Sequence, residues 1–129
     1  SMVKANTLGV TVSVVTNYQA DFSDPANGRF LFAYQITIEN ETQTAIQLLS
    51  RHWDIVDASG LSRVVEGEGV VGEQPVILPG ESHQYVSGCE LATEMGSMQG
   101  YYTFKQVDKA ALFRATIPHF TLVANYKLN

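Results

Sequence analysis

The feature that most constrains the fold is a series of short segments in which apolar and polar residues alternate. The clearest segment runs from Phe30 to Glu39, and its apolar residues would share one face: Phe30, Phe32, Tyr34, Ile36 and Ile38. A period of two residues is typical of a β-strand that is buried on one side. No segment has the 3.6-residue period of an amphipathic helix. The chain is therefore predicted to be all-β.

Turn signals such as Asn27-Gly28 and Ala58-Ser59-Gly60 separate these segments at intervals of about ten residues. Further strands are predicted at residues 8–15, 45–56, 61–65, 82–89, 98–107 and 113–117, and residues 122–129 would form an edge strand or fray. Seven to eight antiparallel strands of this length indicate an immunoglobulin-like β-sandwich. The alternation slips at Ser50-Arg51-His52, which predicts a β-bulge there.

Length and net charge limit the kinds of function that are expected of this chain. The 129 residues fit one domain, and a net charge of -5 with a pI near 5.0 disfavours binding to nucleic acid or to an anionic membrane. No signal peptide and no membrane-spanning segment are predicted. The single cysteine, Cys89, excludes an internal disulfide and favours the cytoplasm. Ser1 is interpreted as a tag remnant and residues 123–129 as a tail.

The stretch from Val65 to Gly80 is the densest in residues that fix backbone shape. Gly67, Gly69 and Gly72 have the G-x-G-x-x-G spacing of a dinucleotide-binding loop, but that loop needs a helix after its third glycine. Pro75 and the β-branched residues around it argue against such a helix. The stretch is therefore predicted to be a glycine-rich turn or bulge.

A nest of backbone amides that holds a phosphate is the alternative for this stretch. Glu66, Glu68 and Glu73 argue against it, because three carboxylates would repel an anion. A divalent metal such as Mg²⁺ or Co²⁺ bridged by these carboxylates would cancel that repulsion. Arg51 is a candidate anion contact, although an ion pair with Glu66 or Glu68 is the favoured prediction.

Catalytic arrangements are not evident. The three histidines, His52, His83 and His119, lack metal-ligand spacing, so no metal site is predicted. Cys89 has no identifiable base and is interpreted as a small buried apolar residue. Trp53 is expected to anchor the core. A hydrolase of phosphoanhydrides is the least favoured function, since no base or nucleophile is visible.

Several motifs, in order along the chain, resemble the ApaG (CorD) family in its stand-alone bacterial form. They are Gln47 to Trp53, Gly67 to Pro75, Pro79-Gly80-Glu81, Tyr85-x-Ser87-Gly88, Met98-Gln99-Gly100-x-Tyr102 and Ile117-Pro118-x-Phe120. The resemblance implies one ApaG-like domain over residues 1–129 with a fibronectin-type-III-like sandwich. The family names imply links to diadenosine-tetraphosphate hydrolase, cobalt resistance and magnesium efflux. Relatives within an F-box protein and a polymerase-interacting protein imply a protein-interaction module.

We therefore predict a non-enzymatic binding module without a cofactor, whose main partner is another protein. The alternative is a sensor of a small anion, pyrophosphate or a nucleotide, and the exposed sheet edges would also allow a homodimer. The predicted site comprises the loop and a neighbouring strand: Gly67, Gly69, Gly72, Glu73, Gln74, Arg51, His52 and Trp53.

Overall fold

The computed structural model describes residues 2–124 and contains nine β-strands in that range. They are β1 (Met2–Thr7), β2 (Val10–Tyr18), β3 (Phe30–Asn40), β4 (Ile46–Asp57), β5 (Ser62–Glu68), β6 (Val76–Ile77), β7 (Ser82–Leu91), β8 (Met95–Gln106) and β9 (Ala111–Val123). Two short 3₁₀ helices, Ala20–Phe22 and Pro25–Asn27, lie between β2 and β3. No helix among the described residues has the length and apolar character needed to cross a membrane.

The strands form two antiparallel sheets that pack face to face. The first sheet has the order β1-β2-β3-β7. The second has the order β5-β4-β8-β9, and the short strand β6 also pairs with β4. Apolar side chains on the inner faces fill the space between the sheets, as the alternation in β3 requires.

The predicted β-sandwich is confirmed, and the strand count is nine in the described residues rather than seven to eight. The strand predicted at residues 8–15 corresponds to β2, and the preceding strand β1 was not predicted. Leu8 and Gly9, at φ 53° and 88°, form the turn that joins the two strands into a hairpin. Strand β9 continues through Pro118 and includes Leu122 and Val123 of the predicted tail. Residues 125–129 of that tail lie outside the described residues.

The centre of the core is aromatic. Trp53 is 2% exposed, and its ring meets the rings of Tyr34 and Phe120 edge-on, with centroids 5.4 and 5.8 Å apart. Such edge-to-face pairs add to the stabilisation from buried area. The prediction that Trp53 anchors the core is therefore confirmed.

Asn40 is the buried polar residue that joins β3 to the chain before β7. Its side-chain amide donates to the carbonyls of Thr44 and Ile77 at 2.9 Å, and its side-chain oxygen accepts from Thr42. All the polar groups of this side chain are paired, so its burial carries little penalty. The contacts fix the loop after β6 to the body of the sandwich.

The two sides of the sandwich differ. On one side, β1 and β2 lie against β9, and the Thr116 N–H donates to Thr7 Oγ1 at 3.0 Å. On the other side, β5 and β7 are the outer strands of their sheets, so each has a free edge. The sandwich is therefore closed along one side and open along the other.

Candidate functional site

A β-bulge in β4 determines which residues of this strand face the core. The register with β8 shifts between Leu48 and Ser50, so Leu49 is the extra residue. Leu48 is buried before the bulge, and Trp53 and Ile55 are buried after it. The alternation of inward and outward side chains therefore shifts by one residue at Leu49. As a result, Arg51 faces inward and His52 faces outward. A bulge was predicted at Ser50 to His52, and the structure has it one residue earlier, at Leu49.

Arg51 binds two backbone carbonyls at the end of β5. Its Nη1 donates to the carbonyl oxygens of Glu68 at 3.0 Å and Gly69 at 2.9 Å. The predicted ion pair with Glu66 or Glu68 is wrong, because no carboxylate of the described residues lies within 4 Å of this guanidinium. In β5, Gly67 lies opposite Arg51, so alternation directs the side chains on either side of Gly67 away from it.

The three glycines of the motif are required for different reasons. A Cβ on Gly67 would lie 2.8 Å from Arg51 Nη1, and a Cβ on Gly69 would lie 2.2 Å from the Glu73 carbonyl oxygen. Gly69 and Gly72 also have positive φ, at 63° and 76°. Gly67 therefore admits the guanidinium, Gly69 admits the returning chain, and Gly72 completes a turn.

The loop that contains these glycines, residues 67–75, is docked on the bulge and is called the glycine loop below. The Leu49 carbonyl accepts from the Gly69 N–H at 2.8 Å and from Gln74 Nε2 at 2.9 Å. Gln47 Nε2 donates to the Gln74 carbonyl at 3.1 Å. The bulge turns the Leu49 carbonyl out of the ladder, and the loop supplies its hydrogen bonds. Gln74 thus has a structural role.

The tip of the glycine loop is a strained two-residue turn. Val70 and Glu73 exchange two backbone hydrogen bonds, of 2.8 and 3.0 Å, around Val71 and Gly72. Both central residues have positive φ, as in a type I′ turn, and Val71 has φ 47°. This conformation is an outlier for a β-branched residue and costs about 1–2 kcal/mol. Val71 nevertheless lies exposed at the tip.

The glycine loop contains no helix, as predicted. Several of its backbone N–H groups already donate hydrogen bonds within the protein. The N–H groups of Gly69, Val70 and Glu73 donate to carbonyls of the protein. A phosphate nest needs adjacent N–H groups that point together into solvent. The loop amides therefore offer little to an anion, whereas Arg51 keeps N–H groups beyond those that bind the carbonyls.

His52 lies on the outer face of the second sheet, away from Arg51. Its ring stacks on Tyr101 with centroids 4.7 Å apart, and the Arg114 guanidinium lies 4.2 Å from the centroid of the Tyr101 ring. His52 Nε2 is 3.2 Å from Asp54, and Nδ1 is 3.2 Å from Glu66 although poorly aligned with it. The Glu66 carboxylate raises the pKa of His52, and Asp54 adds to this effect.

The structure thus brings only some residues of the predicted site together. Arg51, Gly67, Gly69 and Gln74 are in contact around the docked loop, and Glu73 and Gly72 form its tip. His52 belongs to the opposite face of the sheet, and Trp53 is buried beneath the loop region in the core. Only the loop and Arg51 therefore share one surface.

Three adjoining cavities lie along the open side of the sandwich between β5 and β7. Their volumes are about 330 Å³ beside the glycine loop, about 250 Å³ in the middle and about 310 Å³ at the far end. The first two share Tyr34, Arg51 and Ser87, and the second and third share Ile55, Arg63 and Glu90. We call this continuous surface the seam groove.

Tyrosines from three strands give the groove a polar floor that sequence reasoning missed. The hydroxyls of Tyr85 and Tyr102 are hydrogen-bonded to each other, and Tyr34 lines the same cavity as Tyr85 and Ser87. Burial raises the pKa of all three tyrosines, and the Arg51 charge only partly opposes this. The hydroxyls therefore remain protonated. The alternation in β3 placed Tyr34 on the apolar face, but the convergence of the three tyrosines depends on the sheet topology.

Arg63 was also missed, and it spans the groove. Its Nη2 donates to the Glu90 carbonyl at 2.8 Å and lies 3.6 Å from Cys89 Sγ. Burial raises the pKa of the Cys89 thiol, and the Arg63 contact opposes the rise. Cys89 is buried, as predicted, and within residues 2–124 no three His, Cys, Asp or Glu side chains gather as a metal site. Glu66, Glu68 and Glu73 therefore form no such cluster.

Comparisons with known proteins agree with the motif resemblance. The model of the ApaG domain family matches residues 20–106. Protein ApaG of Thiobacillus denitrificans is 49% identical over 121 residues, which cover 94% of each chain. Protein ApaG of Pseudomonas paraeruginosa is 51% identical over 113 residues, covering 88% of this chain and 89% of that protein.

Solved structures include a similar fold. The crystal structure of the putative ApaA protein from Bordetella pertussis superposes with a TM-score of 0.87 at 38% identity. The match covers 91% of this chain and 94% of that chain. The similarity therefore extends over most of the chain.

Two substitutions in the glycine loop test the two structural features described above, the close packing of Gly69 against the Glu73 carbonyl and the positive φ of Val71. Gly69→Ala should lower the free energy of unfolding by at least about 2 kcal/mol, because the new methyl group overlaps the Glu73 carbonyl. Val71→Asn should raise it by about 1 kcal/mol, because asparagine tolerates positive φ. Urea unfolding would measure both. Equal stability of the wild type and the Gly69→Ala variant would contradict the described loop.

The carboxylates around His52 should make its contribution to stability depend on pH. The pKa of His52 is raised in the folded state, so its stabilisation is present below the unfolded pKa of about 6.5. It is lost as the pH rises through the folded value. NMR titration of the His52 ring should give a pKa above about 6.5 that falls in a Glu66→Gln variant. An unchanged value in that variant would exclude Glu66 as the main cause.

Proposed function

We propose that this chain, which belongs to the ApaG domain family, is a non-enzymatic protein-interaction module that binds its partner in the seam groove. The observation that carries the proposal is the open side of the sandwich, where two free strand edges face one another across three adjoining cavities. A free edge offers unpaired N–H and C=O groups, and an extended segment of another protein can pair with them.

The composition of the groove fits recognition of a polypeptide. Exposed apolar side chains on both borders, Val65 on β5 and Val86 on β7, would be covered by a bound segment. Hydroxyls and guanidinium groups inside the groove would fix its register through hydrogen bonds. Apolar borders with a few placed polar groups are typical of peptide-binding clefts.

The glycine loop gives one end of the groove a fixed shape. Arg51, Leu49 and Gln74 hold the loop by four hydrogen bonds, so its tip projects Val71 beside the groove. A rigid strained tip loses little conformational entropy when a partner binds. The loop therefore acts as a preformed wall of the binding site.

A sensor of a small anion is the second candidate, and one observation favours it. The cavity beside the glycine loop contains the Arg51 guanidinium and the Tyr85 hydroxyl, both of which can donate to an anion. The loop amides contribute little, as their hydrogen bonds are satisfied within the protein. We rank this candidate second because it leaves the rest of the groove and both free edges without a role.

Crosslinking from defined positions tests the protein-interaction proposal. A photoreactive benzoylphenylalanine would replace Val86, which is 56% exposed at the β7 edge, or Leu112, which is 64% exposed on β9. In lysate of the host cell, one protein should be crosslinked from position 86 and not from position 112. Mass spectrometry would identify it, and the purified protein should reproduce the result.

The control at position 112 makes the outcome decisive. Both substituted side chains are exposed on strands, so both variants should fold, which circular dichroism would confirm. A protein crosslinked equally from both positions would contradict the groove as the site. The absence of any specific crosslink from position 86 would contradict the proposal as well.

A further inference from the structure

We infer that the seam groove selects an extended acidic peptide in which two carboxylates four residues apart reach Arg51 and Arg63. This inference rests on the proposed function and adds the chemistry of the partner. It begins from the two guanidinium groups that the groove contains. Both are anchored by backbone carbonyls: Arg51 by those of Glu68 and Gly69, and Arg63 by that of Glu90.

Neither positive charge is neutralised by a neighbouring residue. No carboxylate of residues 2–124 lies within 4 Å of either guanidinium. Carbonyl oxygens satisfy some of the five N–H donors of an arginine but leave its charge uncompensated. Arg51 is half-buried and Arg63 is exposed, and an arginine without a carboxylate partner can bind the carboxylate of a ligand through charge-assisted hydrogen bonds.

The hydroxyls of the groove support the same ligand. Tyr85 and Tyr102 share one hydrogen bond between two hydroxyl groups, so one proton remains to be donated. Because burial raises the pKa of both tyrosines, that proton is retained at neutral pH. A carboxylate on Arg51 would accept it. The inner groove thus combines positive charge with neutral donors.

The spacing of the two arginines matches an extended chain. Gly67 lies opposite Arg51 and Arg63 lies opposite Ile55, so the backbone positions of the two arginines are four residues apart along β4, and both side chains line the middle cavity. At about 3.3 Å per residue this separation is about 13 Å. In an extended peptide, residues i, i+2 and i+4 share one face and span the same length. Carboxylates at i and i+4 would therefore reach both guanidinium groups.

The free edge of β7 provides backbone hydrogen bonds for such a peptide. The Glu90 carbonyl accepts from Arg63 across the groove, so it points away from β3. In an antiparallel strand, every second residue directs both backbone groups to the same side. Val86 and Gly88 therefore also present their N–H and C=O groups to the groove.

The middle of the groove defines the residue between the two carboxylates. The central cavity is lined there by Trp53, Val65 and Met98, which are apolar. A side chain at i+2 would enter this region, and an apolar one would bury surface without leaving a polar group unpaired. The recognised pattern is therefore acidic-x-apolar-x-acidic, in either chain direction.

The net charge of the protein would by itself disfavour the binding of an acidic peptide. With a net charge of -5, the protein as a whole attracts basic peptides and repels acidic ones. Glu66 lies beside His52 on the outer face, whereas Glu68, Glu90 and Asp57 line the groove. Among residues 2–124 none of these carboxylates lies within 4 Å of Arg51 or Arg63, so the two guanidinium groups remain open to the carboxylates of a ligand. Preference for an acidic peptide can thus arise only from a local site.

Peptide binding measured by fluorescence anisotropy tests the inference. The probe is a labelled extended peptide of about ten residues with glutamates at i and i+4 and valine at i+2. It should bind the wild-type protein at least about tenfold more tightly than a peptide with both glutamates changed to glutamine. A peptide with glutamates at i and i+3 should bind more weakly than the peptide with glutamates at i and i+4, because only one of its carboxylates can reach a guanidinium group.

Matched protein variants locate the effect. Arg63→Gln should weaken binding of the glutamate peptide by about tenfold, whereas Arg114→Gln, with the same change in charge on the outer face, should change it less than about twofold. Arg51→Gln should also weaken binding, but it removes loop contacts. The Arg63 variant therefore keeps the test valid if Arg51→Gln does not fold.

The outcomes separate this inference from the proposed function. Equal binding of the glutamate and glutamine peptides, or equal effects of Arg63→Gln and Arg114→Gln, would overturn the acidic peptide. A crosslink from position 86 would then still support the groove as a protein site. Inorganic pyrophosphate that competes with the peptide in the wild type, and does so unchanged in Arg63→Gln, would instead favour a compact anion beside Arg51.

Discussion

The site depends on one extra residue in β4. The bulge at Leu49 changes the phase of the strand, so that Arg51 faces inward beside the core and the Leu49 carbonyl leaves the ladder. The first change places a charge at the margin of the sandwich, and the second creates the acceptor on which the glycine loop is docked. Without the bulge, His52 would face inward and Trp53 outward. The core, the loop and the groove therefore depend on the same local irregularity.

Much of the fold was predictable because burial imposes a simple period. The apolar face of β3, the core position of Trp53 and the slip at Ser50 to His52 were all read from alternation, and the structure agrees except that the slip lies one residue earlier, at Leu49. The hairpin of β1 and β2 was not predicted, since its turn places Leu8 at positive φ, which the residue type does not indicate. Local sequence therefore predicted the strands better than the turns.

The candidate site was predicted less completely, because it combines residues from distant strands. The glycines and Arg51 were identified from spacing and from the bulge, but the partners of Arg51 were not. Alternation in β5 turns the carboxylates on either side of Gly67 away from Arg51, so the guanidinium binds carbonyls instead. The tyrosines and Arg63 come together only when β3, β5, β7 and β8 are assembled. Sequence distance gives no measure of that proximity.

The measurement that tests the central claim most directly is NMR mapping of the bound glutamate peptide on the amides of the protein. If the peptide extends the first sheet, the amides of Val86 and Gly88 should shift and their exchange with solvent should slow, because they gain backbone hydrogen bonds. The outer-face amides of His52, Tyr101 and Arg114 should remain unchanged. Shifts confined to the outer face would contradict the seam groove as the binding surface.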